Sequence, residues 1–516
     1  MHCNFSRLGV RKAVLLFAGL AASAPQLLAQ GGVPLWTNRY QGPSIPDQAR
    51  SIAADSSGNV FVTGISTATD GKPNYATIKY SNTGAPLWTN RYTGITNSGG
   101  LEFAVAVDGG GNVFVTGYSP GLGPPPDYAT VAYSGAGVAL WTNYYSAPFN
   151  GGNFSLAIAT DNGSNVIVTG WSIAGPGGPD YVTIKYSNAG VGLWTNRYDG
   201  PAANADIAYG LVVDNNSNII VTGSSTGVGS LTDVATIKYS SAGVSLWTNR
   251  YNGPGNANDQ GTAAAVDANG NVFVTGYSAG TNGNQDFLTL AYSSGGTGLW
   301  TNRYHGPGGS NDRAVAIALD RGGNVFITGN SMGANFDYAT IKYSNNGVPL
   351  WTNRYNGPAN ADEQPNAIAV DSSGNVVVTG EAAVGVSGTG SVTNDFATIA
   401  YSNSGMPLWT NLYGPGNALA MALDSSGNIF VTGQGTYGNS GYVTIKYSSN
   451  VSPGRSPIHL DFQIVDTQLV LSWTNSDFAL QAAPVISATF TNIPGATSPY
   501  TNSFTEPEQY FRLTAP

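Results

Sequence analysis

A segment typified by AIAVDSSGNVVVTG occurs eight times in the chain, with its turn aspartates at Asp55, Asp108, Asp161, Asp214, Asp267, Asp320, Asp371 and Asp424, 53 residues apart except for one step of 51. A period of that length confines the chain to a stack or ring of like units. Each unit holds four short runs of strand character, typified by AIAVD, NVFVTG, DYATIKY and LWTNRY and called strands a to d below. Four strands per unit at this period make one blade of a β-propeller.

Loop lengths separate two kinds of connection. The turn Asp and the Gly of VTG are nine residues apart in every copy, and the Tyr of TIKY and the Trp are eight apart in the seven uninterrupted copies. The a–b and c–d connections are therefore fixed hairpins, with Asp or Ser before the turn and Gly after it. All length variation lies in the b–c and d–a connections, which antiparallel pairing sends to the opposite face. Binding is expected on that variable face. The last unit, residues 424–447, has no LWTNRY after it, whereas the first copy, residues 35–40, has nothing before it. The N-terminal strand is thus expected to be the outer strand of the last blade, closing the ring and removing open edges. The fold class expected is all-β: an eight-bladed propeller of four-stranded blades, followed by a small β module.

Composition agrees with a packed β protein. Charged residues are only 9% of the chain, 69 residues are Gly and 41% are hydrophobic, which is not the make-up of a disordered polymer. A formal charge of -9 without basic clusters argues against nucleic acid as a partner. Arg7, Arg11 and Lys12 precede an apolar run from Ala13 to Ala24, so residues 1–29 read as a secretory signal. The single cysteine, Cys3, lies inside it. No later stretch is apolar for the roughly 20 residues of a membrane helix. A secreted or cell-envelope protein, extracellular or periplasmic, is expected. Domain boundaries are placed at 30–447 for the propeller, 448–457 for a Ser/Pro/Gly linker and 458–516 for the β module, with strands around Phe462, Leu469, Leu471, Trp473 and Leu480. The LVLSW start of that module loosely resembles fibronectin type III.

Two repeated features invite assignment. Trp36, Trp88, Trp141, Trp194, Trp247, Trp300, Trp351 and Trp409 are expected to pack between blades, each facing the Ile and Tyr of TIKY across its hairpin. Acids recur eight residues before the turn aspartate at Asp47, Asp206, Asp259, Asp312 and Glu363, each after a strand d carrying Arg39, Arg197, Arg250, Arg303 or Arg354. Where Tyr144 and Leu412 replace the Arg, the acid position holds Asn153 and Gly416. The remaining copy has Arg91 with Gly100 in register and Glu102 two residues on as its substitute. The joint loss in the other two predicts a charge clamp across the d–a connection in preference to a calcium ring. The longest b–c connection runs 18 residues from Gly380 to Thr398, against 13 or 11 elsewhere, and Val384, Val386, Ser387, Thr389 and Ser391 in it are candidate partner contacts. After the signal only His305 and His459 remain, too few for zinc or dyad chemistry. No catalytic, cofactor or metal residue is assigned.

The pattern DSSGNVFVTG, then DYATIKYSNxGxxLW, resembles the SBBP-type bacterial β-propeller repeat over about residues 33–447. The resemblance implies an extracellular or periplasmic propeller and transfers no catalytic residue. The family name suggests seven blades, whereas the strand inventory here closes at eight. YSNTGAPLW also resembles the tryptophan-docking turn of eight-bladed quinoprotein dehydrogenases, which implies an alternative enzyme using pyrroloquinoline quinone. Against it, the chain after the signal has no adjacent cysteine pair and no non-repeating cluster of Asp, Glu, Asn and Arg. The reading is a non-catalytic, monomeric propeller without cofactor, a rigid binding or surface scaffold for a protein or glycan; the alternative is an enzyme or lectin-like module on the variable face.

Overall fold

Strand b explains why the units assemble. In VFVTG the β-branched and aromatic residues alternate faces: Val60 and Val62 join a core with Phe430 and Tyr442, whereas Phe61 joins the next core with Val113 and Val115. All three are completely buried. A strand apolar on both faces cannot be satisfied by one blade, so each blade needs a neighbour on either side. The computed structural model describes residues 12–15, 32–95, 99–120, 125–147, 151–386, 392–436, 440–448, 461–465, 468–472, 479–483, 491–503 and 508–514.

Residues 31–450 form one unit, a ring of eight four-stranded antiparallel blades. Blade 4 is typical: strands a to d are Asp206–Val213, Ile219–Thr226, Thr232–Tyr239 and Ser245–Tyr251. The a strands of adjacent blades stand side by side all round the ring and so line a central channel, with the d strands outermost. Blade 8 takes its outer strand from the N-terminal end of the unit. Pro34–Tyr40 pairs antiparallel with Gly441–Tyr447, Thr37 opposite Ile445 and Tyr40 opposite Tyr442.

The seams repeat one set of contacts. The tryptophan of each strand d lies opposite a residue such as Lys79 or Lys446, not the Ile and Tyr expected across the hairpin, because a register shift intervenes before the Tyr. The indole turns instead to the next blade, where Trp36 meets Tyr80 at 6.1 Å and donates through Nε1 to the Asn82 carbonyl at 3.0 Å. The c–d turn glycine of that blade sits on the ring: Gly84 has φ 87°, and a Cβ there would stand 2.8 Å from Trp36 Cγ. Asn38 Nδ2 then donates to the Gly84 carbonyl at 2.7 Å. The closing blade reproduces this across the chain ends. Gly32, at φ 80°, lies against Trp409, and Asn411 donates to its carbonyl at 3.0 Å.

Residues 1–30 with 451–516 form the second unit. Glu508–Thr514 lies between Lys12–Leu15, parallel to it, and Ala479–Ala483, antiparallel, with Thr491–Asn492 at the far edge. Asp461–Val465, Gln468–Ser472 and Tyr500–Ser503 form a three-stranded sheet. Leu469, Leu471 and Leu480 are buried; the side chains of Phe462 and Trp473, most of the expected signal and all of the expected linker after Ser448 lie outside the described residues. No helix among the described residues is long and apolar enough to cross a membrane.

Candidate functional site

The variable face is anchored by a cross-strand polar row at the end of most blades. In blade 4, Asp206 of strand a stands opposite Ser225 of strand b, which stands opposite Asp233 of strand c. Arg250 of strand d lies over the row: Nη1 donates to Ser225 Oγ and, at 3.0 Å, to Tyr198 Oη, while Nη2 donates to the Ser225 carbonyl at 3.0 Å and Asp233 Oδ2 at 2.8 Å. Arg197, Arg303 and Arg354 pair likewise with Asp180, Asp286 and Asp337 at 2.6, 2.7 and 2.6 Å. These pairs replace the clamps expected between Arg197 and Asp206, Arg250 and Asp259, Arg303 and Asp312, and Arg354 and Glu363. Each guanidinium is held inside its own blade, because strand register sets it beside the strand b and strand c ends of its own sheet. Arg39, expected to pair with Asp47, donates to Tyr413 Oη at 3.1 Å.

The strand a acids brace the d–a connection through the main chain. Asp206 accepts from the Gly200 and Thr226 N–H groups at 2.5 and 3.1 Å, Asp259 from Gly253 and Ala279 at 2.5 and 3.0 Å, and Asp312 from Gly306 and Met332 at 2.7 and 2.9 Å. Asp47 does the same with Gly42 and Thr67 at 2.6 and 2.9 Å. Burial nonetheless pushes the Asp206 and Asp259 carboxyls above their ordinary range. In blade 7 Ala382 and Leu412 stand where blades 1 and 3 to 6 have Ser and Arg. Glu363 there is 1% exposed with neither oxygen in a closed hydrogen bond. Burial, reinforced by Asp337 and Asp362, pushes its pKa up to about 7. Two seams bring three potential ligands within 4.8 Å: Asp180, Asp199 and Asp206, and Asp286, His305 and Asp312. In both, arginine and main-chain N–H groups already occupy carboxylate oxygens.

Among the strand positions, some are held constant and others diverge widely. The threonine and glycine of VTG, and the Trp, Asn and last Tyr of LWTNRY, are identical in all eight copies. The residue after that glycine is Ile65, Tyr118, Trp171, Ser224, Tyr277, Asn330, Glu381 or Gln434, different in almost every blade. The second and fourth positions of strand a vary as freely, with Gln48, Phe154, Gln260 and Arg313 among the second and Arg50, Phe103, Tyr209 and Asn366 among the fourth. The glycine makes the geometry. A Cβ at Gly170 would stand 2.0 Å from the Phe154 carbonyl, and this close approach accompanies a register shift in strand a between Ser155 and Ala157.

These varying columns converge on the channel mouth at the variable face. Gln48 Nε2 donates to Gln434 Oε1 at 3.2 Å, and Arg50 Nε to Gln48 Oε1 at 3.2 Å. The Arg50 guanidinium lies 5.5 Å from the Phe103 ring centre, and Phe103 meets Tyr118 at 6.1 Å. Tyr118 meets Phe154 edge-on at 4.6 Å, and Phe154 stacks on Trp171 at 4.4 Å and 26°. Further round, Arg313 lies 5.0 Å from the Tyr277 ring centre, and Tyr277 Oη donates to Gln260 at 2.9 Å. Burial and neighbouring Tyr277 push the Tyr209 phenol up. All six rings are partly exposed, whereas seam aromatics such as Tyr128 and Phe114 are fully buried. Sequence reasoning pointed to the face but missed these residues. The signal was the columns that break an otherwise strict repeat.

The long b–c connection is a hairpin extension. Strands Val376–Val386 and Val392–Tyr401 lengthen, with Gly385 opposite Thr393 and Val386 opposite Val392, and a register shift beside Val384. Ala382 and Ala383 are buried. Ser387, Thr389 and Ser391 lie outside the described residues, as does the Val386 side chain.

Against known proteins, the SBBP family model, described as Beta-propeller repeat, matches residues 35–72, the stretch that holds the closing strand and strands a and b of the first blade. No curated protein matches the chain. Among solved structures, the periplasmic gluconolactonase PpgL of Pseudomonas aeruginosa is similar at 12% identity and TM-score 0.41, covering 68% of this chain and 96% of its own. A catalytically inactive virginiamycin B lyase from Staphylococcus aureus with quinupristin is similar at 12% identity and TM-score 0.36, covering 66% and 95%. The β-propeller domain of the Trilobed protease from Pyrococcus furiosus is similar at 8% identity and TM-score 0.40, covering 70% and 98%. By fold the chain is an eight-bladed β-propeller closed by its N-terminal strand. Its repeat is similar to SBBP over the matched residues.

Proposed function

We propose that this protein is an exported, non-catalytic β-propeller, a rigid scaffold that binds a protein or glycan at the channel mouth of its variable face. One observation carries the reading: three columns that diverge strongly between the repeats meet at that mouth. Divergence concentrated around one opening is what a ligand site on a repetitive scaffold requires, because it frees a pseudo-symmetric ring from presenting eight equal surfaces. The test uses purified full-length protein with Tyr118, Phe154 and Trp171 changed to Ala, beside a control with Ser57 and Ser426 changed to Ala on the opposite face. Binding to immobilised envelope proteins and glycans is expected to fall only in the first. Equal binding by both, at matched thermal stability, would sink the assignment to the mouth.

A further inference from the structure

We propose that the mouth takes a neutral oligosaccharide, with Trp171, backed by Phe154, as the platform on which one sugar ring stacks; this rests on the mouth being the binding site. Trp171 is the one tryptophan of residues 30–447 outside the repeated column. Its ring lies nearly parallel to Phe154 at 4.4 Å, so Phe154, itself met edge-on by Tyr118, backs one face of the partly exposed indole and the other face is the one that can receive a ring. The fold does not require aromatic residues there. The same pair of positions holds Ile207 and Ser224 in blade 4, Arg313 and Asn330 in blade 6, and Asn417 and Gln434 in blade 8, so the platform is an addition to a scaffold that closes without it.

Ligand chemistry follows from what surrounds the rings. The mouth carries amides at Gln48, Gln434 and Asn417 on one flank and Gln260 on the other, all partly exposed. An amide offers donors and an acceptor together, which matches a hydroxyl group that is both. A pyranose ring presents apolar C–H faces and equatorial hydroxyls, so it can stack on an aromatic face and hydrogen-bond outward at once. A polyanion fits less well, because the chain carries a formal charge of -9, the strand d arginines of blades 3 to 6 are tied to aspartates in their own blades, and Arg50 and Arg313 at the mouth lie against the Phe103 and Tyr277 rings. A folded protein partner would need roughly 800 Å² on its own side, whereas the rings and amides sit on strands a and b around the channel opening, where a slender chain fits better.

The experiment is calorimetric and fluorescence titration of the full chain with cello-, malto-, xylo- and laminari-oligosaccharides at low and high salt. At least one should bind saturably, with a change in tryptophan emission and little salt dependence. Trp171→Ala should weaken that binding at least about tenfold, and Trp171→Phe should weaken it less, with both variants unfolding at the wild-type temperature. No saturable binding to any of the four overturns the sugar assignment, as does affinity unchanged in a folded Trp171→Ala variant. Binding abolished by high salt overturns it too. Loss of envelope-protein binding in the mouth variants, with no sugar bound, overturns the sugar while leaving the mouth in place; sugar binding indifferent to every mouth substitution removes both.

Discussion

Gly243 and Gly270 show how one residue type serves two purposes. Both hold φ near 80°, at 84° and 80°, but a Cβ on Gly270 would meet nothing nearer than 3.3 Å, whereas one on Gly243 would stand 2.8 Å from the Trp194 ring. Gly270→Ala therefore pays only backbone strain and should cost about 1 kcal/mol; Gly243→Ala must also push a seam apart and should cost about 2–4 kcal/mol. Denaturant titration of the two variants checks the order, and equal costs would mean that the indole yields. Glu363 carries a pH effect of definite sign. Its pKa in the folded chain, about 7, lies above the ordinary 4.5, so the stability that depends on the protonated form is full below about 4.5 and is lost as pH rises through 7. Glu363→Gln should match wild type at acid pH and exceed it above neutrality, by no more than about 3 kcal/mol. Thermal unfolding across that range tests it.

At the scale of the strand, the arginine row ties three strands to a fourth. Arg250 of strand d touches the ends of strands b and c of its own blade and the Tyr198 hydroxyl of the previous outer strand. Removing it strands Asp233, which is only 6% exposed. Arg250→Met should cost about 2–4 kcal/mol, less than a fully buried pair because the guanidinium is still partly wet. The double variant with Asp233→Asn should cost less than the sum of the two single changes, since each removes the same pair. Additive costs in that cycle would show that the hydrogen bond to Ser225, not the charge pair, carries the stability.

Across the whole molecule, ring closure turns eight weakly independent blades into one cooperative body. Without residues 1–40, the outer edge of Gly441–Tyr447 would lose its partner, and Gly84 would lose the Trp36 ring beneath it. Such a chain should unfold broadly, at a lower temperature, and associate through the open edge. Scanning calorimetry and light scattering measure both effects, and an unchanged sharp transition would show that the closing strand is dispensable.

Much of this was legible in residue order because repetition exposes geometry. A strand d without a blade at one end and a blade without a strand d at the other already imply closure, and fixed hairpin lengths already separate the two faces. Partners across sheets were not legible. Arg197 is nine residues from Asp206 and seventeen from Asp180, yet it pairs with Asp180, because the d–a connection carries the chain into the next blade while the strand register returns strand d to the ends of its own sheet. Trp36 likewise turns from its own hairpin to Tyr80 of the next blade, a choice made by how blades stack. The diverging columns were visible in the sequence, but not their meeting point. Only closure of eight a strands into one ring brings residues as far apart as Gln48 and Gln434 within hydrogen-bonding distance, because side chains that project inward from a ring converge, whereas those of a linear stack stay spread along it.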